Sequence, residues 1–164
     1  MFFVIVMMIL TSTISCQSLE NGWKDIKPLH SNKGEVEKIF GEPKIVGNNS
    51  YRYTTDDAYV EVKYATAPCK ESQYGRGVFR VPENTVLEYH VYFKEFPEFP
   101  RLSDIKLDKR KYEKDTSGDA PFIYSYWNRD GGIRLSVNFK GDVDRVQGIA
   151  FSPSKIDEEK FACK

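Results

Sequence analysis

The stretch Ile133-Arg134-Leu135-Ser136-Val137-Asn138-Phe139-Lys140 decides the fold, because apolar and polar side chains alternate along its whole length. Successive side chains of a β-strand point to opposite faces, so this pattern predicts a strand with one buried face. The turn sequence Arg129-Asp130-Gly131-Gly132 precedes it, and residues 122–127 and 145–152 flank it with similar alternation. We therefore expect a three-strand antiparallel meander. The side chains expected in the core are Ile133, Leu135, Val137 and Phe139.

The same alternation is present upstream. Residues 51–54 and 59–65 lie on either side of an Asp56-Asp57 turn, and residues 85–94 repeat the pattern. Half-buried antiparallel strands have this period of two. In the last segment the side chains expected to point inward are Leu87, Tyr89, Val91 and Phe93. Those expected to point outward are Glu88, His90 and Tyr92.

One short helix is predicted before the strands, over residues 33–40. Asn32 and Glu35 have the spacing of a capping box, and Gly41 provides a stop signal. The apolar residues expected on one helical face are Val36, Ile39 and Phe40. Because isolated helices below about 12 residues are marginal in water, this face must pack on the sheet. The elements predict an α+β fold, an antiparallel sheet of about six to seven strands with this one N-terminal helix on one face.

Residues 1–16 have the features of an export signal. Residues 2–10 are an uncharged apolar run that is too short for a transmembrane helix, which needs about 20 apolar residues. Small and polar residues follow this run, although no basic residue precedes it. We interpret residues 1–16 as a signal peptide and residues 17–164 as a single domain. The expected location is the periplasm, the outer membrane or the medium.

Cys16 leaves two processing routes open. The sequence Thr13-Ile14-Ser15-Cys16 is similar to a degenerate lipobox, although its first two residues depart from the usual pattern. In that route Cys16 becomes the acylated N-terminus of a lipoprotein, and the lipid is the chain's contact with the membrane. In the other route an ordinary signal peptidase cuts near Ser15 or Ser18.

If Cys16 carries lipid or is removed, Cys69 and Cys163 are the two cysteines that remain free to pair. An even pair in an oxidising compartment predicts a disulfide, which would fix the C-terminal segment. The alternative is a pair of unbonded thiols. Two cysteines without nearby histidines do not make a zinc site, so no metal is expected.

Composition and motifs exclude several classes of function. The chain has 24 basic and 24 acidic residues and a net charge of zero, which argues against a nucleic-acid-binding protein. It contains no HExxH, GxSxG, P-loop or dinucleotide-binding motif. No cofactor is expected, and the sequence favours a protein that is not an enzyme.

Aromatic residues give the main binding hypothesis. Ten tyrosines and eleven phenylalanines exceed what one small core needs. Tyr59, Tyr92 and Trp127, with His90, are expected on the outward face, where aromatic side chains commonly anchor interfaces. The favoured function is a non-enzymatic binding or scaffold domain with a cell-envelope protein as partner, presenting an aromatic patch and no deep polar pocket. Alternatively, a second layer of the protein covers these rings.

A small secreted enzyme or enzyme inhibitor is the second functional hypothesis. Glu88 and His90 share a strand face and could act as an acid/base couple. The Asp-rich loops, residues 115–119 and Asp142 with Asp144, could offer oxygen ligands to calcium, but neither has a full ligand set.

A weak internal repeat spaces similar residues 73 positions apart. Tyr51, Tyr53, Asp57, Val60 and Val62 recur as Tyr124, Tyr126, Asp130, Ile133 and Leu135. The repeat indicates either a duplicated unit or the shared pattern of two aromatic hairpins.

Four segments carry a resemblance that covers nearly the whole mature chain. They are Gly22-Trp23-Lys24-Asp25-Ile26-Lys27-Pro28-Leu29-His30-Ser31, Glu35-Val36-Glu37-Lys38-Ile39-Phe40-Gly41-Glu42-Pro43, Val81-Pro82 before Thr85-Val86, and Leu102-Ser103-Asp104-Ile105. Together they resemble a family of uncharacterised exported bacterial proteins. The short helix ending in Gly-x-Pro is also similar to the first unit of the SmpA/OmlA outer-membrane lipoproteins and the fold-related β-lactamase inhibitor proteins. The resemblance implies export and fold, and it implies no activity.

Overall fold

The structure, a computed structural model, describes residues 19, 22–47, 50–70, 78–94, 99–105, 107–116, 123–140 and 143–163. The predicted signal peptide and Cys16 lie outside the described residues. Within the described part of the chain, no helix is long and apolar enough to cross a membrane.

In the described part of the chain, eight strands form one antiparallel sheet. They are β1 Ile45–Val46, β2 Ser50–Thr54, β3 Ala58–Tyr64, β4 Val86–Phe93, β5 Glu113–Asp115, β6 Ile123–Asn128, β7 Ile133–Lys140 and β8 Val143–Phe151. Their order across the sheet is β1-β2-β3-β4-β8-β7-β6-β5. The α+β class agrees with the prediction. The strand number does not, because the sequence predicts about six to seven strands and the described sheet has eight. The two extra strands are the edges β1 and β5, which are too short to show an alternating pattern.

Two meanders of four strands, β1–β4 and β5–β8, meet at the β4–β8 pair. The 73-residue repeat falls on the second and third strands of each meander. The pairing differs, however, because Tyr53 pairs with Val60 whereas Tyr126 pairs with Leu135. Ile133, which corresponds to Val60 in the repeat, pairs with Asn128 instead. The two hairpins therefore share a place in the topology but not a register.

The first helix, α1, spans Lys33–Phe40, as the capping box predicts. The Asn32 side chain accepts a hydrogen bond from the Glu35 backbone N–H over 3.1 Å, and the Glu35 carboxylate accepts one from the Asn32 N–H over 2.9 Å. Val36 is fully buried, but Ile39 is 44% exposed, so the prediction that Ile39 joins the buried face is wrong. Val36 and Phe40, four residues apart, form the stripe that reaches the core.

A second helix, α2 at Lys155–Phe161, corrects the prediction of a single helix. Five of its seven residues are charged, so it has no apolar stripe that could predict it. Its N-cap is Ser154, whose side chain accepts a hydrogen bond from the Asp157 backbone N–H over 3.2 Å. After α2, the sulfur of Cys163 lies at disulfide distance from that of Cys69, with the Cα atoms 5.7 Å apart, as predicted.

The core lies on one face of the sheet, which we call the inner face. Residues 22–31, the N-terminal arm, contribute Ile26 to this core, and Trp23 stacks on Phe40 at a ring-centroid distance of 5.6 Å. Ile133, Leu135 and Val137 are buried as predicted. Phe139 is 47% exposed, which contradicts the prediction, because it lies near the end of the β7–β8 hairpin opposite Asp144.

Leu87 also departs from the predicted inward stripe of β4. The pairing of β3 with β4 shifts between Lys63 and Tyr64, so that Tyr64 pairs with Val86 and Leu87 is the extra residue of a bulge. Val86 enters the main core in its place, and Leu87 packs against a second small cluster. The buried residues of that cluster are Leu29, Ala65, Phe79 and Val81.

Candidate functional site

Three of the predicted binding residues lie together on the face of the sheet opposite the core, which we call the outer face. Tyr59 and Tyr92 are directly opposite each other on β3 and β4, and they are 45% and 43% exposed. His90 Nδ1 and the Tyr92 hydroxyl share a hydrogen bond of 3.1 Å. Partial burial raises the pKa of Tyr92, so the hydroxyl is protonated at neutral pH. We call Tyr59, Tyr92 and His90 the tyrosine patch.

Charged residues border the tyrosine patch along β2 and β3. Glu61 lies opposite His90, and its carboxylate accepts a hydrogen bond from the Ser50 hydroxyl over 2.7 Å. Arg52 is 3.6 Å from the same carboxylate. The Ser50 hydrogen bond lowers the pKa of Glu61 and, with help from Arg52, outweighs the opposing effect of burial. Glu61 therefore stays ionised and held in place beside the patch.

Small side chains continue the outer face beyond Tyr92. The cross-strand row runs from Tyr92 to Gly148, then to Ser136 and Ser125. A Cβ atom at Gly148 would lie 2.7 Å from the carbonyl oxygen of Val91, so the β4–β8 pair leaves no room for a side chain there. Gly148 and Ser125 are buried and Ser136 is partly buried, so the exposed part of this row is its Tyr92 end.

Trp127, the fourth predicted binding residue, does not join the patch. It occupies the same cross-strand row as His90, but β8 and β7 separate their strands. At a strand spacing of roughly 4.8 Å, the two positions are about 14 Å apart. The guanidinium carbon of Arg129 lies 3.8 Å from the centre of the Trp127 ring, and that of Arg134 lies 5.6 Å away. Trp127 therefore belongs to a different part of the surface.

A cavity of about 630 Å³ lies beside Trp127 at one end of the sheet. The residues that carry its chemistry are Lys27, Arg110, Trp127, Arg129, Ile156 and Asp157. They come from the N-terminal arm, the short 3-10 helix Lys109–Lys111, the β6–β7 hairpin and α2. Small-molecule sites commonly have volumes of roughly 300–1,000 Å³. We call this site the Trp127 cavity, and it departs from the expectation of a surface without a polar pocket.

Asp157 links the arm to α2 on one wall of the Trp127 cavity. Its carboxylate is 2.9 Å from His30 Nε2 and accepts a hydrogen bond from the Ser154 hydroxyl over 2.7 Å. Lys27 Nζ is farther away, at 3.9 Å. Burial alone would raise the pKa of Asp157, but the hydrogen bonds from His30 and Ser154, with the charge of Lys27, lower it overall.

The order of these groups differs from that of a nucleophilic triad. In a triad the histidine lies between the serine and the aspartate, so that it can take the proton of the serine hydroxyl. Here Asp157 lies between Ser154 and His30. The cluster therefore holds a helix start against the arm and has no activated serine.

Glu88, half of the predicted acid/base couple, is buried rather than exposed to solvent. It lies directly opposite Lys63, whose Nζ donates a hydrogen bond to its carboxylate over 2.5 Å. The ion pair with Lys63 gives this buried carboxylate a partner on the neighbouring strand. The contact gives Glu88 a structural function between β3 and β4.

The structure places only part of the predicted Asp-rich loops. Asp115 ends β5 and Asp144 lies in β8, while Asp119 and Asp142 are outside the described residues. Where the chain is described, no three His, Cys, Asp or Glu side chains are grouped closely enough to hold a metal ion.

Sequence reasoning missed the Trp127 cavity because its walls come from segments far apart in the chain. The Ser154–Asp157 spacing, typical of a helix N-terminus, is the local signal that could have located one wall. Arg110, Arg129 and Lys27 have no distinguishing local pattern. They become neighbours of one cavity only after the sheet order is known.

No family model matches the chain, and no curated protein matches it. A solved structure to which it is similar is that of a DUF4309 family protein, YjgB, from Bacillus subtilis subsp. subtilis str. 168. The TM-score is 0.45 at 15% sequence identity, and the match covers 80% of this chain and 84% of that chain. A likeness at this level carries no inference about family or function. The resemblance to uncharacterised exported bacterial proteins stays a prediction.

Proposed function

We propose that the protein is an exported, non-enzymatic binding domain that contacts a cell-envelope protein through the tyrosine patch. The observation that carries this proposal is the pair Tyr59 and Tyr92, side by side and almost half exposed on the outer face. Large apolar side chains on the inner face are explained by the core that they form. The core does not explain large rings on the outer face. Two adjacent large rings in water on that face therefore favour an interface.

The chemistry of the patch and its border suits a protein partner. Tyrosine, tryptophan and arginine are the residues most enriched among those that dominate binding energy at protein interfaces. Tyr59 and Tyr92 would provide rigid aromatic area, and Arg52 with Glu61 would provide a charged rim.

Two features support export. The apolar run at residues 2–10 has the length of a signal-peptide core. Cys69 and Cys163 lie at disulfide distance, and disulfides persist in oxidising compartments. The enzyme alternative has weaker support, because Glu88 already has an ion-pair partner in Lys63.

Site-specific crosslinking tests the interface. A photoreactive amino acid at Tyr92, in cells that make the protein, should give one discrete adduct with an envelope protein identified by mass spectrometry. Lys38, exposed on α1, is the control position and should give no such adduct. With the purified partner, Tyr59→Ala should weaken binding by at least about tenfold, because buried interface tyrosines typically carry this much energy. Equal adducts from both positions, or an unchanged affinity, would refute the proposal.

Intact mass after fractionation tests export. A membrane-bound species beginning at Cys16 with added acyl mass would show a lipoprotein. A species cut near Ser15 or Ser18 without added mass would show a free exported domain. A full-length, uncleaved chain in the cytoplasm would overturn the export part of the proposal.

A further inference from the structure

We infer that the Trp127 cavity binds a small anionic molecule with an apolar part, whose carboxylate or phosphate group is held by Lys27 and Arg129. This ligand site is separate from the tyrosine patch, about 14 Å away by strand spacing. The inference does not rest on the proposed function, because a binding domain can hold a small ligand with or without a protein partner.

Charged side chains of both signs line the cavity. Among the described residues, four cationic side chains and three carboxylates line it. The cations are Lys27, Arg110, Lys111 and Arg129, and the acids are Glu113, Asp130 and Asp157. Arg110 forms a two-point ion pair with Asp108, just outside the lining, so the charges around the cavity balance. The preference for an anion therefore depends on the positions of Lys27 and Arg129.

Lys27 retains much of its capacity to bind an anion. Its ion-pair partner among the described residues is Asp157, at 3.9 Å. The two Asp157 oxygens already have closer partners in His30 and Ser154, at 2.9 Å and 2.7 Å. Lys27 is therefore the weakest partner of this carboxylate, and its side chain is about half exposed at the cavity wall. An incoming carboxylate or phosphate could therefore form an ion pair with the Lys27 ammonium group, and no short hydrogen bond would have to break.

The guanidinium group of Arg129 has a fixed orientation, and part of its hydrogen-bonding capacity is available to a ligand. Its guanidinium group stacks over Trp127 at 3.8 Å, and within the described residues its Nε alone bonds a carboxylate, that of Glu113 at 3.3 Å. Stacking on an indole fixes the plane of a guanidinium group. The two terminal nitrogen atoms are therefore available in a fork that matches carboxylate or phosphate oxygens.

Part of the lining suits an apolar group. Ile133 and Phe151 line the cavity but are almost fully buried in the core, whereas Ile156 lies on α2 with 76% of its surface exposed. Burying such a surface against a ligand is favourable, since removing apolar area from water stabilises the bound state. A ligand with an anionic group at one end and an apolar group at the other would use both parts of the cavity.

Backbone and indole signals in ¹H–¹⁵N spectra provide the test. The chain has two tryptophans, and Trp23, which stacks on Phe40 and is not among the residues that line the cavity, is an internal control. The probes are 3-phenylpropionate, phenyl phosphate and the uncharged 3-phenylpropionamide. We expect a saturable shift of the Trp127 indole signal with the anions, and about tenfold weaker binding of the amide, as expected for the loss of one charged hydrogen bond. A preference for either anion supports the site and identifies its headgroup.

Variants distinguish a specific site from general attraction to a charged surface. Arg129→Gln and Lys27→Gln should each weaken anion binding about tenfold. Arg80→Gln, at an exposed arginine outside the cavity lining, is the matched control and should leave the affinity unchanged. An unchanged Trp23 signal would show that each variant is folded. Equal affinity for the amide, unchanged affinity in both cavity variants, or a Trp127 shift that does not saturate by about 10 mM would overturn the inference.

Discussion

The hydroxyl of Tyr89 donates a hydrogen bond of 2.7 Å to the backbone carbonyl oxygen of Ile26. The same hydroxyl oxygen accepts a hydrogen bond from the Trp23 backbone N–H over 2.8 Å. Tyr89 is fully buried on β4, so one side chain satisfies both groups and joins the N-terminal arm to the middle of the sheet. Burial raises the pKa of Tyr89, which keeps the hydroxyl a donor at neutral pH.

Tyr89→Phe should therefore destabilise the fold although the ring is kept. The change leaves a backbone donor and a backbone acceptor without their partner, at a cost of about 1–3 kcal/mol in the free energy of unfolding. Urea unfolding followed by fluorescence measures this cost. Tyr59→Phe, which removes a hydroxyl from an exposed ring, should change stability by less than about 0.5 kcal/mol. Similar effects of the two substitutions would contradict the bridging function.

Asp157 should make stability depend on pH in the acid range. Its pKa is lower in the folded protein than the ordinary value, so the folded state favours the ionised form. This stabilisation is fully present above the unfolded-state pKa of about 3.9 and is lost as the pH falls through the lower folded-state pKa. The urea midpoint of the wild type should fall below about pH 4 more steeply than that of Asp157→Asn. Parallel pH profiles would show that the His30 and Ser154 contacts do not stabilise the carboxylate.

Breaking the Cys69–Cys163 bond should lower stability strongly. The bond closes a loop with a sequence separation of 94 residues, and the chain-entropy model gives about 4–5 kcal/mol for a loop of this size. Unfolding with and without a reducing agent measures the effect, and the double variant Cys69→Ser/Cys163→Ser controls for reagent effects. Alkylation should be blocked until reduction. Free labelling of both thiols in the native protein would contradict the bond.

Gly132 should tolerate alanine less well than Gly41 does. Both glycines have positive φ values, +69° and +75°, so alanine strains the backbone at each. At Gly132 an added Cβ would also lie 2.3 Å from the Ser152 oxygen and 2.5 Å from the Pro153 oxygen, whereas at Gly41 no atom of the described residues lies within 4 Å. The loss in unfolding free energy for Gly132→Ala should exceed that for Gly41→Ala by at least about 1 kcal/mol. Equal losses would mean that the turn moves to relieve the collision.

Elements with a strong local pattern could be predicted from the sequence. The alternation in residues 133–140 identifies β7, and the Asn32–Glu35 capping box places the start of α1. The edge strands β1 and β5 have two and three residues, too few for any period to appear. The charged helix α2 is held by its cap and by contacts of Asp157 with the arm, which only the tertiary structure reveals.

The tyrosine patch and the Trp127 cavity also differ in how far local sequence patterns predict them. Alternation alone places Tyr59 and Tyr92 on the outer face, and antiparallel pairing of neighbouring strands then brings them together. Trp127 has the same outward pattern, but the order β4-β8-β7-β6 moves it away from the patch. No rule of local sequence gives that order, because it depends on which long-range strand pairs form.

The central place of β8 has a consequence for synthesis of the chain. Because β8 is the last strand in sequence and yet lies between β4 and β7, a ribosome completes both halves of the sheet before their connecting strand exists. Until then β4 and β7 each present an unpaired hydrogen-bonding edge, the kind of edge that recruits other chains into aggregates. Aggregation of such a nascent chain would be lowest if the chain stayed unfolded until β8 is complete. Passage of a chain through a membrane translocation channel likewise requires that folding be delayed.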